Sequence, residues 1–354
     1  MLKNVGVSHI QTLVKILLIA DPGIPVPPRL YGGHERLVYL FAEEYHRLGH
    51  EVSLLAGPDS TVSGKVYTFG RNNLKRSRFQ KARELLYAWY FLRLKKKQFD
   101  AIHNFGRLLY LLPLLKNPVK KIMAYGREVS PFGIKKIVSF NPKNLIFTAC
   151  SNSCVSTGNV AGNWATVYNA IDFSKYQLQN QVLKEAPLMF LGRLDKIKGA
   201  HTAIRVAKAT NHILLIGGNL PNTPDNYQYY KQQIEPRIDG KQIIYLGALN
   251  DEQKNYYLGK AKALIFPIEW NEPFGMVMIE AMACGTPVIG FKKGAVPEVI
   301  DQELTGFSVN NEQEMIDALQ NINKINRTIC RQTAEKRFDV RLVAAQYLSL
   351  FDEK

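Results

Sequence analysis

The sequence predicts an α/β protein with two doubly wound, Rossmann-like domains that face each other across a cleft. Three observations indicate this class: the length of 354 residues, a series of short apolar runs that alternate with helical segments, and a second such series after Tyr168. At roughly 100–200 residues per domain, this length fits two domains. Strands and helices that alternate in this way build parallel sheets covered by helices on both faces.

The first series begins with a strand, a glycine turn and a helix. A polar lead-in at 1–12 precedes the apolar run VKILLIA at 14–20, which is typical of a buried parallel strand. Gly32 and Gly33 close the loop after it, and residues 33–49 carry apolar side chains at helical spacing. Together with the next apolar run, EVSLLAG, they form a βαβ unit. Further strands are expected at 100–105, 120–125 and 144–151.

The second series repeats this alternation over the rest of the chain. We therefore predict an N-terminal domain at 13–168, a C-terminal domain at 169–338 and a terminal helix at 339–354 that packs back on the N-terminal domain. No period of 20–50 residues is present, which excludes a solenoid. Strands of the second series are expected at 186–192, 212–218, 242–247, 263–267 and 286–291, and helices at 200–210, 275–284 and 312–322.

Positive charge is concentrated in the N-terminal half. The chain holds 46 Lys and Arg against 30 Asp and Glu, a formal net charge of +16. Residues 1–170 contain 24 basic and 9 acidic side chains, whereas the remaining residues contain 22 and 21. This asymmetry indicates that the N-terminal half meets an anionic partner: a membrane surface, a phosphorylated acceptor or nucleic acid.

One segment of this half, residues 71–99, is especially basic. It holds ten Lys and Arg against the single acid Glu84, and its centre is apolar and aromatic. A basic amphipathic helix of this kind suits an anionic membrane surface, contacted through 71–97. The alternative is an ordinary helix with a solvated basic face. Nucleic acid is not expected as a partner because no nucleic-acid-binding module is recognised. The aromatic centre is Tyr87, Trp89, Tyr90 and Phe91.

Composition and cysteine usage place the protein in the cytoplasm. The chain is 46% hydrophobic and 21% charged, an ordinary globular mixture. Its apolar runs are too short to cross a bilayer, and Lys15 interrupts the N-terminal run, so no signal peptide is expected. The four cysteines are too scattered for a disulfide framework and predict reduced thiols. We expect a cytoplasmic protein that attaches peripherally to the cytosolic face of a membrane.

The most specific motif lies at residues 269–300. Glu272 and Glu280 are separated by seven residues, and the sequence PFG lies between them, where a helix is expected to begin. The start of a helix exposes unpaired N–H groups and the positive end of its dipole, which can hold a pyrophosphate. Gly275 lets a ligand approach the backbone closely. Both carboxylates are suited to accept hydrogen bonds from sugar hydroxyls.

This motif resembles that of the family 4 glycosyltransferases, retaining enzymes with two Rossmann-like domains (the GT-B fold). The resemblance extends over most of the chain. It includes the Gly-Gly turn with RLGHEVSLL, FLGRLDKIKGAHTAI at 190–204, YNAID at 168–172 and GAVPEVI with ELTGFSV at 294–309. The glutamate pair with PFG and MACGTPVI is its most specific part.

The resemblance assigns donor-binding roles to particular residues. It implies that Glu272 contacts the donor sugar and Glu280 the ribose of the nucleotide. Arg193 and Lys198 match the two cations that bind the donor phosphates, and a diphosphate leaving group needs such charge. Leu249 falls where the segment that binds the base often lies. The backbone beside the phosphates and sugar is that of Gly32, Gly33, Phe274, Gly275, Met276 and Val277.

The N-terminal half departs from the family at one position. Family members usually have a histidine and an aspartate after a strand, whereas Arg127 and Glu128 stand here. Arginine does not deprotonate, so it is no general base, but it can stabilise the leaving phosphate or hold an anionic acceptor. His103 matches a second family histidine and is either a residue of the cleft or a structural histidine.

The sequence therefore predicts a retaining hexosyltransferase that uses a nucleotide diphosphate sugar, with a UDP-sugar favoured over a GDP-sugar. We expect the acceptor to be a lipid-linked or cell-envelope glycan. A soluble small-molecule acceptor is the first alternative, followed by a sugar-nucleotide epimerase of related fold and then a nucleotide-sugar-binding protein without catalysis. No Asp-x-Asp metal motif is visible, so no metal or other cofactor is expected.

Overall fold

The computed structural model describes residues 13–29, 32–158 and 162–352. The predicted lead-in at 1–12 and the residue before the glycine turn lie outside these ranges. The chain divides into two compact units. The predicted domain limits stay a prediction. Within the described ranges, one unit runs to Ala124 and includes Lys136–Ile146 and the chain from Phe351, and the other comprises Tyr125–Lys135 and Phe147–Leu350.

The first sheet has seven strands, with the order β3-β2-β1-β4-β5-β6-β7. Leu18 of the first strand pairs with Leu54 on one side and with His103 on the other. The chain thus winds outward from β1 in both directions, and ligands of such sheets bind where the strand order reverses, beyond the carboxyl ends of the strands. The strands are β1 Lys15–Ile19, β2 Glu51–Ala56, β3 Lys65–Thr68, β4 Ala101–Asn104, β5 Lys120–Tyr125, β6 Leu145–Ala149 and β7 Trp164–Thr166.

Helices connect these strands. The first helix buries an apolar stripe that includes Leu37, Phe41 and Tyr45, as its spacing predicts. The expected strands of this half are confirmed, whereas β3 and β7 were not predicted because they are short and only partly buried. The helices are α1 Gly33–Arg47, α2 Arg78–Lys95, α3 Pro131–Ser139 and α4 Asn152–Gly158.

The second sheet has six strands and the same outward winding, with the order β10-β9-β8-β11-β12-β13. Its central strands β8 and β11 are wholly buried, which explains their continuous apolar sequences. The two sheets with their helices confirm the predicted α/β fold class. The strands are β8 Leu188–Leu191, β9 Leu214–Gly217, β10 Ile243–Gly247, β11 Ala263–Phe266, β12 Val288–Phe291 and β13 Gly306–Val309.

The helices from residue 200 onward complete the fold. Near the end of the chain, Phe351 lies in the same unit as His103, and the centroids of their rings are 6.2 Å apart. All four cysteines are free and buried. Of the helices in the described ranges, none is long and apolar enough to cross a membrane. The helices are α5 Ala200–Ala209, α6 Pro224–Tyr229, α7 Asp251–Lys260, α8 Met276–Ala283, α9 Val296–Val299, α10 Glu312–Asn321, α11 Arg327–Phe338 and α12 Val340–Asp352.

The basic segment at 71–99 forms a loop followed by α2. Ser77 begins the helix with a capping box, in which its side chain accepts from the Gln80 amide. Phe91 is only 6% exposed, and the centroid of its ring lies 4.8 Å from that of Tyr67. The expectation that Phe91 faces a membrane is therefore wrong. The indole of Trp89 donates to the Leu109 carbonyl at 2.8 Å. The exposed apolar side chains of α2 are Phe79, Leu86, Tyr87, Tyr90 and Leu94.

Candidate active site

The start of helix α8 provides a set of unpaired backbone donors. Gly275 precedes the helix with a left-handed φ of 86°, and a Cβ at this position would lie 2.7 Å from the Met278 side chain. Among the described residues, no side chain caps this end. The half-buried Met276 and Val277 form the first turn, whereas the Phe274 ring is buried. The first turn therefore presents N–H groups and a partial positive charge to a ligand.

Lys198 and Glu272 lie together beside this turn. The Lys198 Nζ lies 2.6 Å from Oε2 of Glu272, and the Trp270 indole donates to the same oxygen at 2.9 Å. Lys198 also lies over the Trp270 ring, with its Nζ 5.2 Å from the centroid. In the described part of the chain, neither donor uses Oε1 of Glu272, which is left to accept a hydrogen bond from a sugar hydroxyl.

The loop that carries Lys198 is fixed by close packing. Gly199 has a φ of 76°, and a Cβ there would lie 2.0 Å from the carbonyl oxygen of Pro267. Arg193, in the same loop, donates from Nε to the buried carboxylate of Asp195. The Arg193 side chain remains 40% exposed. Asp195 thus holds the guanidinium by one edge, so that its other nitrogens can bind a phosphate.

Glu280 is held by a second lysine. Its Oε1 accepts from Lys254 Nζ at 3.0 Å, and Lys254 also pairs with Asp251 at 3.0 Å. Burial alone would lower the pKa of Lys254, but the two carboxylates raise it above its ordinary value. Burial, with Glu280 as a further cause, raises the pKa of Tyr176, which hydrogen bonds to Glu280. Lys254 and Tyr176 thus fix the position of the Glu280 carboxylate on α8.

Leu249 and Arg127 do not belong to the pairs of residues described above. Leu249 is half-buried in the connection from β10 to α7, against Gly217. Arg127 is exposed, and its carbonyl accepts from the Cys154 thiol at 3.0 Å. In the described part of the chain, the Arg127 side chain makes no hydrogen bond or ion pair with Arg193, Lys198 or Glu272. The structure thus brings Lys198 and Glu272 together but leaves Arg127 apart from them.

The neighbour of Arg127, Glu128, lines a cavity of about 190 Å³. Trp270 and Pro273, which flank Glu272 in the sequence, form another part of its wall. The α4 residues Ser153 and Cys154 also line this cavity. The cavity therefore offers space next to the donor motif for a group of a few atoms.

The remaining predicted residues lie in the first compact unit. Gly32 is packed, since a Cβ there would lie 2.7 Å from Pro28, whereas a Cβ on Gly33 would meet nothing within 4 Å. The open side of Gly33 permits close approach to the start of α1. His103 is fully buried, and its Nδ1 lies 3.1 Å from the Tyr45 hydroxyl. Burial lowers the pKa of His103 well below its ordinary value, so the geometry favours the structural alternative for this residue.

Sequence reasoning missed several residues that position the site. Asp195, Lys254 and Trp270 make the contacts described above. Glu298 was not missed, since it lies in the GAVPEVI segment of the resemblance, and it holds α4 through the amides of Asn152 and Ser153 at 2.8 and 2.7 Å. The proximity of Trp270 to Glu272 in the sequence was a usable signal. Asp195 is likewise close to Arg193 in the sequence, whereas Lys254 reaches Glu280 from a different helix. No cluster of three or more His, Cys, Asp or Glu side chains that could hold a metal occurs within the described ranges.

Comparison with known proteins finds a family match in the C-terminal part of the chain. Residues 174–337 match the model of the family described as glycosyl transferases group 1. A phosphatidyl-myo-inositol mannosyltransferase of Propionibacterium freudenreichii is 28% identical over 203 residues, which are 53% of this chain and 46% of that protein. An uncharacterised 41.2 kDa protein from the cps region of Klebsiella pneumoniae is 28% identical over 204 residues, 52% of this chain and 54% of that protein. The chain thus spans about half the length of these two relatives.

Other matches extend over almost the whole chain. Spore coat protein SA of Bacillus subtilis is 23% identical over 96% of this chain and its own full length. The sucrose-phosphate synthase of Thermosynechococcus elongatus has a TM-score of 0.77 at 20% identity and covers 96% of this chain and 98% of that one. Anabaena HepE in complex with UDP and glucose has a TM-score of 0.70 at 18% identity, with coverage of 96% and 100%. These two structures show a common fold.

The two sheets have the arrangement of the GT-B glycosyltransferase structures, and the matching segment lies in the second of them. Residues 174–337 match the group 1 glycosyl transferases, and the chain as a whole is similar to family 4 glycosyltransferases. The resemblance drawn from the motifs is thereby confirmed.

Proposed function

We propose that this enzyme transfers a sugar, with retention of configuration, from a nucleotide diphosphate sugar to a lipid-linked or cell-envelope glycan. The observation that carries the donor part is the uncapped start of α8, which has the Lys198–Glu272 pair beside it and Glu280 on the same helix. Backbone donors and a lysine suit a diphosphate, and the two carboxylates suit the hydroxyls of the sugar and the ribose.

We favour a UDP-sugar as donor, followed by a GDP-sugar. The complex of Anabaena HepE with UDP and glucose supports this choice, because that protein has the same fold. The acceptor proposal is supported by the relative named phosphatidyl-myo-inositol mannosyltransferase. It is also supported by the net charge of the N-terminal half, because lipid-linked acceptors and their membranes are commonly anionic.

In the proposed reaction, the new glycosidic bond forms on the same face of the sugar ring as the bond that breaks. The acceptor oxygen attacks the anomeric carbon on the side of the leaving group, and the bond from that carbon to the phosphate oxygen breaks. The acceptor proton passes to an oxygen of the departing diphosphate, so atoms and charge balance without a protein nucleophile. The positive end of α8, Arg193 and Lys198 stabilise the charge that develops on the diphosphate. In this proposal the protein needs no metal for that task.

Nucleotide binding tests the donor part. A thermal-shift panel of UDP, GDP, ADP and their sugars should show the largest increase in Tm with UDP and UDP-sugars, because a ligand that binds only the folded state stabilises it. Glu280→Ala should reduce this shift, and Glu185→Ala, an exposed site without a charged partner in the described ranges, should not. A larger shift with GDP would change the assigned base, and no shift with any nucleotide would overturn the proposal.

The stereochemistry of the product tests the mechanism. With an α-linked donor sugar, the proton coupling constants of the product should show an α-linkage. A β-linked product would overturn the retaining mechanism and leave the donor assignment intact. A lipid-linked acceptor should react faster than its soluble sugar head alone, whereas equal rates would favour the soluble-acceptor alternative.

We also propose that the enzyme attaches reversibly to an anionic membrane through α2 and the residues around it. The exposed side of this helix carries Leu86, Tyr90 and Leu94 at helical spacing, and basic side chains flank them. Interfacial helices combine these features, since apolar groups enter the headgroup region while the cations contact anionic lipids.

A further inference from the structure

A partly buried network of four charged side chains lies in the first compact unit. Asp21 follows β1, and Arg107 follows β4. The Arg107 guanidinium lies 3.1 Å from Asp21 and 3.4 Å from Glu84. Arg76 pairs with both carboxylates as well, with its Nη1 2.9 Å from Glu84. Two cations and two anions balance, so the network itself is neutral. It lies at the carboxyl ends of parallel strands, where α/β sheets bind ligands.

A cavity of about 440 Å³ adjoins this network. Its lining is basic and aromatic and also includes Glu84, whose carboxylate pairs with Arg76 and Arg107. Arg71 and Arg83 are exposed, and no acidic side chain in the described ranges pairs with either of them. They therefore add positive charge that the neutral network does not cancel. The lining includes Phe69, Arg71, Arg76, Phe79, Arg83 and Tyr87.

Arg76 is the buried part of this lining. Its side chain is only 7% exposed, and its Nε is buried without a hydrogen-bond partner among the residues that the structure describes. An unmet buried donor is costly, and most such groups have a partner. An anion bound in the cavity would supply an oxygen for it. The guanidinium forks of the exposed Arg71 and Arg83 also match the geometry of phosphate better than an ammonium does.

Apolar side chains form the outer part of the cavity. Phe79 is 78% exposed, and Tyr87 stacks on Phe69 with the ring centroids 6.1 Å apart. Helical spacing places Tyr90 and Leu94 on the same side of α2 as Phe79 and Arg83, three turns and four turns along the helix from Phe79. An exposed apolar stripe thus leads away from the basic part of the cavity. A ligand that fits both parts has an anionic head and an apolar tail.

We infer that this cavity binds the phosphate group of a lipid, with the phosphate on Arg71, Arg76 and Arg83 and the apolar part along Phe79 and Tyr87. The role of this lipid as the glycosyl acceptor rests on the proposed function. The binding of the lipid does not rest on it, because none of the residues assigned to the nucleotide sugar lines the cavity.

Calorimetric titration of the full chain tests the site. The probe is dihexanoyl phosphatidic acid, kept monomeric below its critical micelle concentration. We expect saturable binding at one site, and Arg71→Gln/Arg83→Gln should weaken it roughly tenfold or more, since two charge-assisted hydrogen bonds are lost. The matched control is Lys81→Gln/Arg93→Gln, which removes the same charge from exposed positions of α2 that do not line the cavity. This control should bind like the wild type.

Each other outcome overturns the inference. Equal weakening in both double variants would mean a general attraction to positive charge. Inorganic phosphate that binds as tightly as the lipid would mean a site for free phosphate, and dihexanoyl phosphatidylcholine that binds as tightly would mean an apolar site. Absence of binding would reject the site. The UDP-induced thermal shift of the same variants reports on the donor proposal separately, because the substituted residues lie outside the donor motif.

Discussion

Lys198 and Glu272 form an ion pair, although 74 positions separate them in the sequence. The resemblance assigned them to different parts of the donor, the phosphates and the sugar. In the structure the Lys198 ammonium neutralises the carboxylate, and the Trp270 indole fixes the same oxygen. A diphosphate bound beside Lys198 would also attract the Lys198 ammonium. The ion pair between Lys198 and Glu272 would then become weaker. The two residues should therefore act as a unit.

The first prediction concerns this unit. Lys198→Ala should lower kcat roughly a hundredfold, because a group that stabilises charge in the transition state is lost. Glu272→Ala should lower kcat as well, and the double variant should lose less than the product of the two single losses, because the residues are in contact. Steady-state kinetics of the four proteins measures this. Lys196→Ala removes a charge from the same turn and should leave kcat near the wild-type value. If the loss of kcat in the double variant equals the product of the two single losses, the coupling between Lys198 and Glu272 is contradicted.

The second prediction concerns the ribose. Glu280→Ala should weaken UDP binding by about 1.5–3 kcal/mol, since hydrogen bonds to a charged group are lost. Lys254→Met should weaken UDP binding less, because Lys254 only positions Glu280 and the carboxylate is still present in this variant. Calorimetry with UDP and with its 2′- and 3′-deoxy analogues measures both effects. The loss caused by Glu280→Ala should shrink for the analogue that lacks the recognised hydroxyl. The same loss with all three nucleotides would place Glu280 away from the ribose.

The order of strands and helices was predictable because it follows from local patterns. Apolar runs such as VKILLIA form buried strands of a parallel sheet. The PFG turn is followed by a helix that begins at Met276, one residue after the expected start. The Rossmann-like fold and the position of Glu272 and Glu280 at one helix start follow from such patterns.

The partners of the site residues were not predictable in the same way. Lys254 reaches Glu280 from α7, and Asp195 holds Arg193 through a turn whose geometry depends on Gly199 and Pro267. Phe91 illustrates the same limit, because the face that a helix buries depends on what packs against it. Tyr67, on the short strand β3, covers Phe91 and leaves Tyr90 exposed. Such contacts require the tertiary structure.

The third prediction concerns stability. The Glu298 carboxylate accepts from the amides of Asn152 and Ser153 and thus caps α4 from a distant part of the chain. Glu298→Ala should lower the free energy of unfolding by about 1–2 kcal/mol, as the loss of a helix cap does. Urea unfolding measures this, with Glu185→Ala as a control at an exposed position. Equal midpoints and slopes for Glu298→Ala and the wild type would show that water replaces the carboxylate without cost.

The last prediction concerns the membrane. Vesicles that contain phosphatidylglycerol should sediment the protein, and vesicles of phosphatidylcholine alone should sediment much less of it. Each Lys or Arg near an anionic surface is worth about 1 kcal/mol, so a few contacts suffice for measurable binding. Reversal of Lys95, Lys96 and Lys97 to Glu should abolish most of the difference. Added salt should weaken the attachment, because the Debye length falls to about 3 Å near 1 M.

Two further variants separate this attachment from net charge and test its apolar component. Reversal of the exposed Lys135, Lys136 and Lys143 changes the charge by the same amount away from α2 and should leave sedimentation nearly unchanged. Tyr90→Ser/Leu94→Ser should remove the part of the binding that resists high salt, because these exposed side chains supply its apolar component. Equal recovery in the supernatant with both kinds of vesicle at low salt would reject the membrane proposal. A soluble acceptor would then become the favoured alternative, since nothing else in the proposal requires the enzyme to work at a surface.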